Sequence, residues 1–225
     1  MTALKFSPDG KTALSGAGDR EKAGPPTIRL WEVETGKVLK TFEGHEAILR
    51  AFSFDSTGRR FFSSSNDFTI REWEIESGKE VRMFADIRSK NGGMKSHGGF
   101  VYSLSLSPDG KSLLSAAFDG RAKLWNVETG KKTAEFWRRH RVVDETGKGL
   151  RDGLRSAAFM PDGKGVLSGG LDRVVRLFDI GSGSERMAFE GHTSDVAALA
   201  VSADGNTAVS GSFDGTIRVW EMPAP

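Results

Sequence analysis

A reversal signal returns five times along this chain, and that recurrence restricts it to a repeating β architecture. It reads Ser7-Pro8-Asp9-Gly10, Asp55-Ser56-Thr57-Gly58, Ser107-Pro108-Asp109-Gly110, Met160-Pro161-Asp162-Gly163 and Ser202-Ala203-Asp204-Gly205. An aromatic follows each copy, at Trp31, Trp73, Trp125, Phe178 and Trp220, with separations of 42, 52, 53 and 42 residues. The basic period is near 42, with insertions in some copies. A third landmark is a Gly-containing turn at Thr35-Gly36-Lys37, Ser77-Gly78-Lys79, Thr129-Gly130-Lys131 and Ser182-Gly183-Ser184. Proline presets φ and glycine accepts φ > 0, so Pro-Asp-Gly reverses the chain tightly and consecutive strands pair antiparallel.

Between the turns lie short runs bounded by Gly, Pro or Asp, which read as strands; in the last copy they are Val196 to Val201, Ala208 to Gly211 and Thr216 to Trp220. No stretch keeps a helical period. One four-stranded meander cannot cover its own apolar faces, so the copies must stack on one another. The fold class expected is all-β.

At 225 residues, with 37% hydrophobic and 28% charged residues, the chain is long enough for a real core. A net charge of +2 gives no global case for nucleic acid or a membrane surface. The absence of cysteine removes disulfides, thiolate chemistry and Cys-ligated metals, and leans towards a reducing compartment. Met1-Thr2-Ala3-Leu4-Lys5-Phe6 lacks the order of a signal peptide, and no apolar run reaches the roughly 20 residues that cross a bilayer. The expectation is a cytoplasmic protein with no membrane contact.

Three copies carry a further constellation: His45, Ser63, Asp67, Trp73; His97, Ser115, Asp119, Trp125; and His192, Ser210, Asp214, Trp220, always at intervals of 18, 4 and 6. In these residues the chain resembles the WD-repeat family, and the resemblance covers essentially its whole length. It implies a β-propeller of four-stranded antiparallel blades, each tied together by a buried His-Ser-Asp-Trp network. A neutral imidazole donates and accepts, a hydroxyl bridges, a carboxylate accepts and an indole donates, so the four types satisfy one another when buried.

The departures are specific. No copy holds a literal Trp-Asp: the pairs are Trp31-Glu32, Trp73-Glu74, Trp125-Asn126, Phe178-Asp179 and Trp220-Glu221. The fourth copy has Phe178 for Trp and Leu150 where histidine would stand. The first has Ser15 and Asp19 but six additional residues before Trp31 and no histidine. These two blades are expected to be the weaker ones.

The expected organisation is a single domain over 1–225, with repeats at about 1–43, 44–84, 85–136, 137–190 and 191–225. Aligning the first copy on the third sets Met1 opposite Val101, and the chain stops just after the third strand of the fifth copy. The count is 19 strands, which reads as an open arc or a truncated larger propeller. A self-closing five-blade ring, or completion by a second copy through exposed blade edges, is the alternative.

Ser, His and Asp together suggest a hydrolase, but a trio repeated in three blades with a Trp plug reads as structure, and no Gly-x-Ser-x-Gly elbow is present. The expected first strands, Met1 to Phe6, Leu49 to Phe54, Val101 to Leu106, Leu154 to Phe159 and Val196 to Val201, hold no Asp or Glu, which disfavours a glycosidase lining a central channel. With four histidines and no cysteine, a metal site is disfavoured, and no phosphate-cradling loop motif occurs. No catalytic residue, metal or cofactor is expected.

Function is left to the surface. The insertions Arg20 to Pro26, Ala85 to Ser96 and Trp137 to Gly153 are expected as long loops on one rim, together carrying +5, with Arg138, Arg139 and Arg141 the densest cluster. The residues preceding the network aspartate are Gly18, Asn66, Phe118, Leu171 and Phe213, a position WD-repeat relatives use for contacts. Phe118, Leu171 and Phe213 form a candidate apolar anchor there, with packing beneath the long loops as the alternative. Arg50, Tyr102 and Arg155 share a second register at the channel mouth.

The leading expectation is a non-catalytic scaffold that binds a peptide or protein on its loop-rich face. One alternative is an architectural segment of a larger multidomain protein. Another is a binder of an acidic, phosphorylated or nucleic-acid partner through basic loops, with nucleic acid disfavoured by the charge balance.

Overall fold

Alternating, β-branched runs between tight turns become strands throughout. The computed structural model describes residues 2–17, 25–88, 92–136, 141–143 and 149–223. Every regular element among them is a β-strand. Sheet 1 holds β1 (Ala3–Phe6), β2 (Thr12–Ala17), β3 (Thr27–Glu32) and β4 (Val38–Glu43). Sheet 2 holds β5 (Leu49–Phe54), β6 (Arg60–Ser65), β7 (Ile70–Glu74) and β8 (Glu80–Phe84). After the short β9 (Ile87–Arg88) and β10 (Met94–Lys95), sheet 3 is β11 (Val101–Leu106), β12 (Ser112–Ala117), β13 (Ala122–Asn126) and β14 (Lys132–Phe136).

The short β15 (Arg141–Val143) and β16 (Gly149–Asp152) precede sheet 4, which is β17 (Leu154–Phe159), β18 (Gly165–Gly170), β19 (Val175–Asp179) and β20 (Glu185–Phe189). Sheet 5 has three strands: β21 (Val196–Val201), β22 (Thr207–Ser212) and β23 (Ile217–Glu221). In each sheet the strands lie in chain order. These are the blades of a β-propeller fold, and the 19 strands expected from sequence are the ones in the five sheets.

The insertions differ from expectation. Ala85 to Ser96 contains the antiparallel pair β9–β10, with Met94 opposite Arg88 and Lys95 opposite Ile87. Trp137 to Gly153 contains the pair β15–β16. A long connection leaves many backbone N–H and C=O groups to satisfy, and a hairpin does so internally. Most of the insertion in the first copy, with Gly18 and Asp19, lies outside the described residues.

The recurring turn explains its own residue types. Ser7 Oγ donates to Asp9 Oδ1 at 2.6 Å, and that carboxylate accepts the Lys11 N–H at 3.1 Å. Ser107 and Asp109 repeat the bond at 2.6 Å, and Ser202 and Asp204 repeat it at 2.5 Å. In each turn the serine hydroxyl, followed by the backbone N–H, holds the aspartate below the usual carboxylate range.

The chain forms two compact units, Met1–Leu104 with Glu128–Lys131, and Ser105–Val127 with Lys132–Pro225. In the first, Leu14, Ile28, Leu30 and Phe42 of sheet 1 pack on Phe52, Phe54, Phe61 and Trp73 of sheet 2. In the second, Leu114, Leu124 and Phe136 of sheet 3 meet Ala157, Phe159, Val166 and Phe178 of sheet 4. Leu167, Val175 and Leu177 on the opposite face of sheet 4 meet Ala208, Val201 and Trp220 of sheet 5. One rule governs all three contacts: the Trp (or Phe178) face of a sheet lies on the aliphatic face of its predecessor. Each such side chain removed from water stabilises by roughly 1.5–3 kcal/mol.

The first unit has an additional fastening. Lys40 Nζ on β4 donates to the Glu76 carbonyl at 2.5 Å, and Arg82 on β8 donates to the Glu128 carbonyl. Each outer strand thereby grips a carbonyl in the Gly-containing turn region of the following repeat.

Candidate functional site

Each network begins at a Gly-His step in two of the repeats. Gly44 and Gly191 sit at φ of 150° and 149°, and a Cβ on Gly44 would lie 3.0 Å from Arg71 Nη1 and 3.1 Å from the Trp73 ring. On Gly191 a Cβ would lie 2.8 Å from Arg218 Nη1. Glycine at this step lets the following histidine enter beneath the tryptophan. In the third repeat Ser96 takes this place; its hydroxyl donates to the Phe84 carbonyl and accepts the Ile70 N–H at 2.8 Å.

In sheet 2 the four residues meet as a chain of hydrogen bonds. The Trp73 indole N–H donates to Ser63 Oγ at 2.7 Å, Ser63 Oγ lies 2.7 Å from His45 Nε2, and His45 Nδ1 lies 2.7 Å from Asp67 Oδ2. A carboxylate only accepts, so Nδ1 carries the proton and Nε2 accepts from the hydroxyl. Sheet 5 repeats this at 2.8, 2.7 and 2.8 Å through Trp220, Ser210, His192 and Asp214. In sheet 3 the Trp125 indole donates to Ser115 Oγ at 2.8 Å, and both His97 and Trp125 are fully buried. In sheet 1, despite its insertion, Trp31 donates to Ser15 Oγ at 2.7 Å. The Phe178 ring of sheet 4 has no N–H to give, and there Arg176 ion-pairs with Asp172.

Thr69 and Thr216 complete the two full networks and were missed by the sequence reading. Each hydroxyl donates to the aspartate at 2.6 Å, and each backbone N–H does so at 2.8 Å. The spacing Asp-x-Thr in Asp67-Phe68-Thr69 and Asp214-Gly215-Thr216 was the available signal. For Asp67, burial favours the neutral acid, but hydrogen bonds from His45, Thr69 and the Glu46 N–H outweigh it and bring its pKa down to about 2. Asp214 is held well below the usual carboxylate range by the Thr216 hydroxyl, against burial, with the Thr193 and Thr216 N–H groups and His192.

The residues singled out for partner contact fall into three groups. Arg50 lies over the Tyr102 ring with its guanidinium carbon 5.1 Å from the centroid, and its Nε donates to Asn66 Oδ1 at 2.8 Å. Arg155 lies 4.9 Å over the ring of Phe213 and bonds Asp195 at 3.0 Å. Phe118 and Leu171 both close on Gly153, where an added Cβ would meet them at 3.1 and 2.7 Å. Exposure divides the apolar set: Phe213 is 65% exposed, whereas Leu171 is 5% exposed. Arg138 and Arg139 lie outside the described residues, and Arg141 is the first residue of β15.

Sequence reasoning overlooked a cluster beside Arg50 and Tyr102. Phe68 has φ of 73°, a left-handed conformation that costs an L-residue roughly 1–2 kcal/mol. The corresponding residues of repeats 3, 4 and 5, Gly120, Arg173 and Gly215, share this conformation, so it belongs to the turn and only glycine adopts it without cost. The Phe68 ring stacks on Phe100 with centroids 5.6 Å apart, and Phe100 meets Tyr102 edge-on at 6.3 Å. Lys95 Nζ stands 4.1 Å above the Phe68 ring, and the Phe68 carbonyl accepts the N–H groups of Ser96 and His97 at 3.0 and 3.2 Å. The result is a half-buried aromatic row between two cations.

The family model of the "WD domain, G-beta repeat" matches residues 36–74, 89–126, 145–179 and 183–221. This chain belongs to the WD-repeat family. It is 31% identical over 194 residues to the Periodic tryptophan protein 2 homolog of Schizosaccharomyces pombe, covering 81% of this chain and 21% of that protein. It is 26% identical over 222 residues to the guanine nucleotide-binding protein subunit beta-5b of Danio rerio, covering 98% of this chain and 50% of that protein. The Pre-mRNA-processing factor 19 homolog 2 of Arabidopsis thaliana is 26% identical over 200 residues, covering 87% of this chain and 34% of that protein. The chain thus spans half or less of each of these three WD-repeat relatives. The family matches begin at residue 36, within sheet 1, and the strands β1 to β3 ahead of them carry the Trp31–Ser15 bond.

Proposed function

We propose that this WD-repeat chain is a non-catalytic interaction module that binds a peptide or protein segment at the strand ends carrying Arg50, Tyr102, Phe68 and Phe100. The observation that carries this reading is the aromatic row of Phe68, Phe100 and Tyr102 flanked by Lys95 and Arg50. Arginine and aromatic side chains supply much of the energy of protein contacts. In this reading the serine, histidine and aspartate serve the fold, because each is committed to a partner within its own blade. Arg50 and Arg155 are committed to Asn66 and Asp195, which favours a partner gripped by ring faces over one captured by bare positive charge.

The test is selection of peptides from a displayed random library against the whole chain. Enriched peptides are expected to lose at least tenfold in affinity to a Phe100→Ala plus Tyr102→Ala variant and little to Lys11→Ala in the opposite turn. They are also expected to change little with salt. Peptides indifferent to the double substitution would remove this surface from consideration, and a steep salt dependence would favour the acidic-partner alternative.

A further inference from the structure

Where one sheet meets the next, the recurring Asp-Gly turns border a cleft, and the second unit builds two of these clefts to one plan. The cleft between sheets 3 and 4 has a volume of about 210 Å³. Buried Leu124 and Phe159 and half-buried Ile180 form its apolar lining, and the exposed Asp109 and Asp162 stand at its mouth. The cleft between sheets 4 and 5 is lined by Leu177, Asp162 and Asp204, the counterparts of Leu124, Asp109 and Asp162. Leu124 and Leu177 hold one register, opposite Leu114 and Leu167. This second cleft also holds a cation of its own, Arg186 on β20. The counterpart of Arg186 on β14 is Thr133, since Lys132 lies opposite Trp125 as Glu185 lies opposite Phe178. Thr133 turns its hydroxyl back to the Leu124 carbonyl at 3.3 Å, and no cation is among the described residues that line the first cleft.

We infer that the cleft between sheets 3 and 4 receives an arginine side chain from a partner peptide or protein, in the place that Arg186 takes in the neighbouring cleft. The two carboxylates have capacity left for it. The Ser107 hydroxyl and the Lys111 N–H both donate to Asp109 Oδ1, at 2.6 and 3.0 Å, and the Lys164 N–H donates to Asp162 Oδ1 at 2.9 Å. Oδ2 of each aspartate has no donor among the described residues. The Lys111 ammonium attracts Asp109 from beside the turn and does not line the cleft. An arginine lays its methylenes on apolar surface and keeps its charged head at the water boundary, which suits a lining of Leu124, Phe159 and Ile180 below two carboxylates. Its planar fork of N–H donors matches carboxylate oxygens better than a lysine ammonium does. This site shares no residue with the aromatic row, so it stands whether or not the row binds a peptide.

Titration of the whole isotope-labelled chain, followed by NMR, tests this with two capped tripeptides, Gly-Arg-Gly and Gly-norleucine-Gly. The amide signals of Gly110, Ser112 and Gly163 are expected to move with the arginine peptide. The norleucine peptide, which keeps the stem and lacks the charge, should bind about fivefold more weakly or not at all. Thr133→Arg gives the cleft a cation of its own, as sheet 4 does with Arg186; Thr133 is exposed, and circular dichroism checks the fold. This variant is expected to lose the arginine peptide by about the same factor, whereas Thr133→Val, which removes only the hydroxyl bond, should keep it. The Phe100→Ala plus Tyr102→Ala variant should also keep it, which separates this site from the aromatic row. Three results would overturn the inference: no shift at these amides, equal binding of the two peptides, or an arginine peptide held as tightly by Thr133→Arg as by the unmodified chain. The comparison of the two peptides needs no variant, so it decides even where a substitution disturbs the fold.

Discussion

Repeats 2 and 5 build the same hydrogen-bonded chain, with corresponding distances within about 0.1 Å, yet they place it in different surroundings. Trp73 is 2% exposed under Phe42 and Phe61, whereas Trp220 is half-buried and keeps Phe189 as its aromatic neighbour. Phe68 follows the aspartate in repeat 2 and glycine follows it in repeat 5. Local sequence sets the geometry of the network. What the network contributes to stability depends on the sheets stacked against it.

The sharpest way to break this comparison is to remove the two indoles. Trp73→Ala is expected to cost about 3–5 kcal/mol in urea denaturation, as large core truncations do, and Trp220→Ala less than half of that. Equal losses would show that the hydrogen bonds, and not the stacking, dominate. Next in size, His45→Ala should cost about 1–3 kcal/mol by leaving Ser63 and Asp67 without their shared partner. His192→Ala should cost less, since the Trp220 it supports is only half-buried whereas Trp73 is buried, and neither substitution should create or remove a chemical activity. An unchanged melting temperature for His45→Ala would argue against a stabilising network.

Acid titration sharpens the comparison further. The folded pKa of Asp67, about 2, lies below the usual value of 3.8, so folding is favoured by its ionised form. That contribution is complete above the ordinary carboxylate range and is lost as pH falls from about 5 towards 2. Asp67→Asn should flatten the fall in unfolding free energy over this interval by about 2 kcal/mol. Asp214→Asn should flatten it in the same direction, and a slope unchanged by either substitution would contradict the proton linkage. The smallest effect is expected at the turn: Phe68→Gly relieves left-handed strain while losing a stacked ring, so its melting curve should shift by less than about 1 kcal/mol. Binding of selected peptides should nevertheless weaken, separating the function of Phe68 from its place in the fold.

Much of the fold was legible because the period is short and the turns repeat. The first strands of repeats 2 to 5 fall where alternation put them, and β23 ends one residue beyond Trp220. The hairpins β9–β10 and β15–β16 were not legible, since Ile87-Arg88 and Met94-Lys95 are too short to show a period. Within the candidate site, Arg50 and Tyr102 could be found because they share a register. Phe68 could not, because nothing in an isolated Asp-Phe-Thr says that its backbone is left-handed or that Phe100 will stack on it. Thr69 was within reach of a closer reading of Asp-x-Thr.

The grip of Lys40 and Arg82 on the succeeding repeat gives the array a direction. Repeats 3 and 4 hold Ala134 and Met187 at the matching strand position, and neither can reach out to a carbonyl in the same way. Repeats that look interchangeable by their landmarks are therefore not so in a graft. A second copy of repeat 2 spliced in after itself would arrive with its own clasp, whereas repeat 3 in that place would leave its successor unclasped. Order along the chain is written on the outer strands, away from the motif that defines the family.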